Sequence, residues 1–318
     1  MSATAAPVRP FLSFELETDP ARWQAPEVAL LGITHSEPYA HDPWPNDQTH
    51  APDAIRAQSA QISDGLAHWD FDVGTDLGAL APPRCLDCGN LVWQGGAYEP
   101  YLARAGALAA QLLRSGAQLV VLGGDHGVTI PVLDALQAVG TPVYLVHVDA
   151  HLDWRAEVGG VRRGYSSPLY WASQRPWVRG MTQLGMRGTG SARKGELEAA
   201  RAYGSKVFTA QQLHEAGFGA ALASIPADAP LYVTIDADGI DPTEAPAVMA
   251  PVPGGLRFAQ LAPFLRTLAY RQRIVGLDIV EIAPALDARN AITCITAGRL
   301  IVNVLGASWA RAALTREA

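Results

Sequence analysis

The chain has 318 residues, 49% of them apolar and 17% charged, with a formal net charge of −7. That balance is too apolar for a disordered chain, and its acidic sign excludes the basic footprint of a nucleic-acid-binding domain. Three cysteines leave no disulfide framework. No stretch reads as the roughly 20 apolar residues that a bilayer span requires, so a cytoplasmic location without a membrane partner is expected.

Residues 1–25, rich in Ala, Pro and Thr, read as a loose N-terminal arm, and residues 26–318 as a single domain without repeats. The first apolar run is Val28–Ile33; His35, His41 and His50 follow it and either line a pocket or face solvent. Next comes the run Cys85–Val92. Its Cys85 and Cys88 form one C-x-x-C without the second half or helix start that a zinc or redox pair needs, so they read as thiols around a buried strand.

Further runs are Gln118–Leu122, Val143–Val148, Met181–Met186, Lys206–Phe208, Leu231–Ile235 and Ile274–Ile279. Helix-period stretches lie between them, at Tyr101–Arg114, Thr129–Val139, Ser191–Tyr203 and Phe258–Tyr270. A last apolar helix, Leu300–Ala313, either covers the sheet or forms an interface. Near-continuous apolar strands alternating with helices predict a parallel sheet covered on both faces, though a closed eight-stranded barrel has the same rhythm.

In such sheets, ligands bind beyond the carboxyl ends of the strands. Four strands end in chemistry-bearing residues: Asp125-His126, Asp149-Ala150-His151-Leu152-Asp153, Asp236-Ala237-Asp238, and Glu281. Alternate positions point the same way if the chain stays extended. Buried carboxylates are costly without a counter-charge, and mixed His and Asp ligands suit Mn, Fe, Ni or Zn better than Ca or Mg. One such motif alone would more often cap a helix or pair with Arg. Three sets at strand ends point to metal. Six ligands exceed what one tetrahedral ion needs, whereas two ions about 3.5–4 Å apart, bridged by Asp149 and Asp236, use them all. Asp125 reads as an orienting partner of His126, and Asp241, before Pro242, as a turn cap.

These motifs resemble those of the ureohydrolases, the family of arginase, agmatinase, guanidinobutyrase and formimidoylglutamase. Gly123-Gly-Asp-His126, Asp149-Ala-His-Leu-Asp153 and Asp236-Ala-Asp-Gly-Ile-Asp-Pro242 are similar to its three metal signatures. Ala51-Pro-Asp-Ala-Ile-Arg56, Pro253-Gly-Gly255 and Gly276-Leu-Asp-Ile-Val-Glu281 resemble its flanking motifs, and the similarity runs from about Val28 to Ala310. The resemblance implies an α/β/α sandwich around an eight-stranded, mainly parallel sheet, forming one catalytic domain. It assigns one ion to His126, Asp149, Asp153 and Asp236, and the other to Asp149, His151, Asp236 and Asp238. Those ions are Mn in most members and Ni in some.

The implied reaction is hydrolysis of a linear C–N bond in a guanidino compound to urea and an amine, agmatinase-like, in a homotrimer or homohexamer. Two cations supply an activated water, Glu281 pairs with the guanidinium, and the leaving nitrogen takes a proton. The chain departs from the family at the substrate end. Tyr165 replaces a proton-relay His, as relay or as pocket wall. Pro246-Ala-Val-Met249-Ala-Pro251 lacks two of the family's threonines, with Met249 making the wall more apolar. Arg155 stands where arginases carry an Asn, ready to pair with a substrate carboxylate or with a Glu such as Glu157. Another guanidino acid or small guanidine is therefore an alternative substrate. Rival readings are a single-metal amide hydrolase of the deacetylase type and a silent partner subunit of a heteromeric hydrolase.

Overall fold

Among the described residues, the apolar runs and two short N-terminal strands assemble into one sheet of ten strands. In chain order they are β1 (Thr4–Ala5), β2 (Glu15–Leu16), β3 (Val28–Ile33), β4 (Cys85–Leu91) and β5 (Gln118–Gly123). There follow β6 (Val143–Val148), β7 (Val178–Met186), β8 (Lys206–Thr209), β9 (Leu231–Asp236) and β10 (Ile274–Val280). The structure, a computed structural model, describes residues 3–35, 37, 39–40, 46–62, 65–80, 84–94, 98–190 and 192–317; His41 lies outside them.

The strand order is β1-β4-β3-β5-β10-β9-β6-β7-β8, with β2 also on β4, so the sheet is open and the barrel alternative falls. β3 to β10 are the eight expected strands, and their pairings are all parallel. Period-two alternation divides the central strands between two cores. In β6, Tyr144, Val146 and Val148 join one core, and Val143 and Leu145 the other. The first lies under helices α1 (Ala51–Ile62), α5 (Phe258–Arg271) and α6 (Ile292–Glu317). The second lies under α2 (Tyr98–Arg114), α3 (Thr129–Ala135) and α4 (Lys194–Tyr203). Helices on both faces make the three-layer α/β/α sandwich.

Two expectations are corrected. The N-terminal segment is packed rather than loose: β1 and β2 pair with β4, and Phe11, Leu12 and Phe14 are buried in the first core. Its backbone is tied down, Phe11 N–H donating to Asp87 and Leu12 N–H to Ser59. Asp87 also takes two bonds from the buried Arg56 of α1, so one carboxylate joins segment, helix and sheet. Secondly, Ile292–Thr315 is long and apolar enough to cross a membrane by length and composition. It serves here as a core helix, with 78% of its most apolar stretch buried in the molecule and Leu300, Ile301, Val304 and Leu305 in the first core.

Candidate metal centre

β5, β10, β9 and β6 are consecutive in the sheet and in register near their carboxyl ends, with Leu122 opposite Ile279, Val280 opposite Asp236, and Ile235 opposite Val148. The four motifs therefore emerge side by side. Glycines let their turns close: a Cβ on Gly124 would collide with the His35 carbonyl, and one on Gly239 with the Asp149 backbone. Asp125 binds no cluster residue; it caps the turn that carries His126, accepting from Gly127 N–H at 2.9 Å. Asp241 accepts from Thr243, Gly254 and Gly255 N–H, the turn cap the sequence suggested.

The motifs do not stay extended. β6 ends at Val148, the next residues bend, and Asp153 takes a left-handed φ of 52°. Its carbonyl is held at 3.2 Å by both Leu169 and Tyr170 N–H. Asp149, His151 and Asp153 converge because this loop curls, not through strand periodicity. Glu281 is also left-handed, at φ 67°, with its N–H on the Gly124 carbonyl at 2.8 Å. Such conformations cost a non-glycine residue about 1–3 kcal/mol and persist where surrounding contacts impose them.

The first group centres on His126 Nδ1, which lies 3.4 Å from Asp149 Oδ2, 3.0 Å from Asp153 Oδ2 and 3.3 Å from Asp236 Oδ2. On the far side of the ring, Nε2 is 2.9 Å from Thr234 Oγ1. That hydroxyl donates to Asp278 Oδ1 at 2.6 Å, so it accepts from His126 and the ring proton sits on Nε2. Nδ1 then turns a lone pair toward three carboxylates. His126 Nδ1 and Asp153 Oδ2 are buried and have no hydrogen-bond partner among the described residues. Either a further proton or a cation must lie between them, and carboxylates arriving from separate strand ends fit a cation.

The second group comprises His151 Nδ1, 2.9 Å from Asp238 Oδ2 and 3.3 Å from Asp149 Oδ1. Asp149 thus has one oxygen in each group. Asp236 does not match it: Oδ2 faces His126, while Oδ1 accepts from Asp238 N–H at 2.8 Å. Electrostatics show the same deficit of positive charge. Burial, then Asp238 and Asp149, push the Asp236 carboxyl well above its ordinary value. Burial, then Asp149, raise Asp153 and Asp238, and burial, then Asp125, raise Glu281. Burial alone would lower His126, but Asp149, Asp153 and Asp236 outweigh it and raise the ring well above its ordinary value.

A cavity of about 350 Å³ opens over both groups, lined by His151, Asp153, Asp236 and Asp238 and by the expected Glu281, Tyr165, Arg155 and Met249. Glu281 Oε1 accepts from His126 N–H at 2.6 Å, and Oε2 from the buried Gln48 amide. Tyr165 packs against Tyr39 with ring centroids 4.2 Å apart and planes tilted by 39°. Arg155 faces Glu196, at 3.7 Å, rather than the exposed Glu157. His35 is buried in a stack with Trp93 and Tyr98, away from the cavity lining, and His50 is exposed.

Sequence reasoning missed Gln48, Tyr39, Glu196, Thr234, Asp278 and His147. The first three come from distant loops and helices, with no local signal. The last three lie inside strands, where polar residues in fully buried parallel strands were themselves a signal.

The sequence model of the arginase family matches residues 27–306. An agmatinase of Chromobacterium violaceum is 33% identical over 263 residues, covering 80% of this chain and 76% of that protein. Among solved structures, the proclavaminate amidino hydrolase of Streptomyces clavuligerus superposes with a TM-score of 0.82 at 25% identity, covering 96% of this chain and 98% of that one. A hypothetical agmatinase of Burkholderia thailandensis gives 0.81 at 27%, covering 96% and 92%.

Proposed function

This chain belongs to the arginase family of hydrolases, and we propose that it cleaves a linear C–N bond of a guanidino compound, releasing urea and an amine. The observation that carries the reading is the pair of groups sharing Asp149, with a buried, unpartnered His126 Nδ1 aimed at three carboxylates. His126, Asp149, Asp153 and Asp236 would hold one divalent cation, and Asp149, His151 and Asp238 the other. Asp236 would serve the second as well if its Oδ1, which accepts from Asp238 N–H, were given up to it. When bound, the cations supply a water deprotonated near neutral pH; manganese fits the donor set, as does nickel.

The chain's own residues do the rest. Glu281 is fixed at Oε1 by the His126 N–H, which leaves Oε2 for a guanidinium once Gln48 yields or shares it. Tyr165 lines the cavity, and its hydroxyl would pass a proton to the leaving nitrogen. Met249 adds an apolar surface for a methylene chain.

The agmatinase relatives make agmatine the first substrate to try. One feature favours a second reading: Arg155, in the lining and only loosely engaged by Glu196, suits a distal carboxylate and repels a distal ammonium, which points to a guanidino acid. Cytoplasmic location and a homotrimer or homohexamer complete the proposal. The test is urea release by the purified chain, loaded with Mn or Ni, from arginine, agmatine, guanidinobutyrate and guanidine. Urea from one of them is expected. None, with metal bound, overturns the reading; a single ion with amide hydrolysis would favour the deacetylase-type alternative, and activity only with a second protein the silent-subunit one.

A further inference from the structure

His147 lies on β6, two residues before Asp149, and is fully buried. Its Nε2 is 2.8 Å from Asp149 Oδ2, and its ring centroid is 5.3 Å from that of His126. By position it belongs with the candidate ligands. Hydrogen-bond polarity separates it from them.

On the opposite side of the ring stands Gln183 of β7, also fully buried. Its Nε2 is 2.9 Å from the Leu152 carbonyl oxygen and 3.1 Å from His147 Nδ1. A carbonyl only accepts, so the nitrogen end of the amide faces Leu152. The oxygen end, Oε1, takes the Ser205 hydroxyl at 2.8 Å. The amide's two protons are then committed, one to Leu152 and one to His147 Nδ1. Since Nδ1 accepts, it carries no proton. The ring proton sits on Nε2 and points at Asp149. A protonated nitrogen has no lone pair to offer a cation, so His147 cannot ligate while this chain of bonds stands.

What it can do is fix the shared carboxylate. Asp149 is the one ligand with an oxygen in each group, so rotation about its Cβ–Cγ bond would disturb both groups together. The His151 N–H holds Oδ1. Against rotation at the other end, the proton donor on Oδ2 is His147. We propose that His147 is a positioning residue: locked as a donor by Ser205 and Gln183, it holds Asp149 in the orientation that serves two cations at once. The inference rests on the two-cation reading above. It predicts the polarity of a buried ring that never touches substrate.

The test uses the full-length protein, stripped of metal and titrated with Mn²⁺ while the free ion is followed by electron paramagnetic resonance. Wild type is expected to take two ions per chain. His147→Phe keeps the ring and removes the donor, and should weaken at least one of them by about 10–100-fold, the usual cost of losing an orienting partner. Excess Mn²⁺ should then restore activity with KM little changed. His147→Gln, which keeps an N–H, should recover most of the affinity. Nitrogen-15 NMR of wild type should show His147 protonated at Nε2 and not at Nδ1. Two ions in wild type with unchanged affinity in His147→Phe overturn the inference alone, as does a proton on Nδ1. Fewer than two ions in wild type overturn the two-cation reading and this inference with it. If His147→Phe fails to fold, His147→Gln and the tautomer still decide, and a Gln variant that folds yet binds two ions no better than a chain lacking Asp149 overturns the role.

Discussion

Replacing Arg155 with Met removes a guanidinium from the cavity lining while keeping most of the side-chain length. The charge-assisted hydrogen bond it would make to a substrate carboxylate contributes about 1.5–3 kcal/mol. Forming it disturbs the Arg155–Glu196 pair, but that contact is 3.7 Å long and partly solvated, so its loss costs only about 0–1 kcal/mol. The difference, roughly 0.5–3 kcal/mol, corresponds to about 2–160-fold in kcat/KM. Arg155→Met should therefore lower kcat/KM for guanidinobutyrate by that factor. For agmatine, whose distal ammonium meets an unwelcome cation in wild type, it should leave the value unchanged or raise it a few-fold. Steady-state urea release with each substrate reads both numbers. Equal losses for acid and amine would show that Arg155 only supports the cavity wall, and no change for either would remove it from substrate recognition.

Two further outcomes follow from buried hydrogen bonds. Thr234→Val leaves the His126 Nε2–H facing a methyl group and deprives Asp278 of its 2.6 Å donor. An unsatisfied buried donor costs about 1–3 kcal/mol, so urea unfolding of the metal-free protein should shift by that order and Mn²⁺ affinity fall about 10–100-fold. Thr234→Ser should restore both; undiminished affinity in the Val variant would refute the tautomer assigned to His126. Outside the cavity lining, Asp70 accepts from Arg299 at 2.6 Å and from Asp72 and Val73 N–H. Burial pushes this carboxyl up, but Arg299 and the two N–H groups outweigh it, holding it below its ordinary value. A depressed folded pKa means that the stabilisation is fully present above the unfolded value of about 3.9 and is lost as pH falls through the folded one. Asp70→Asn should then cost about 1–3 kcal/mol at pH 7, with the gap to wild type closing below about pH 4 in urea unfolding of metal-free protein. A gap as wide at pH 3 as at pH 7 would contradict this.

How much was legible from sequence depended on range. The inner strands among β3 to β10 show as apolar runs because both faces of a parallel strand are buried there, and the carboxyl ends of β5, β6, β9 and β10 carry the motifs because that is where such a sheet opens. The curl from Asp149 to Asp153 was not legible: it depends on Leu169 and Tyr170 donating to the Asp153 carbonyl from a helix beyond the loop. The N-terminal segment read as loose because its Ala, Pro and Thr hide a few strongly buried residues, Phe11, Leu12 and Phe14, of which Phe11 and Leu12 bond to β4 and α1. Arg155 could be picked out but not paired, since Glu196 arrives from α4 after two intervening elements. His147, Thr234 and Asp278 sit in plain view within strands. Their roles emerge only from the direction of each hydrogen bond, which composition and spacing do not encode.

The most direct measurement is the metal content of the purified chain after loading with Mn²⁺ and removal of free ion, read beside urea release by the same sample. The account predicts about two ions per chain, with urea produced from at least one guanidino substrate. One ion per chain, or two ions and no urea from any of the panel, would contradict it.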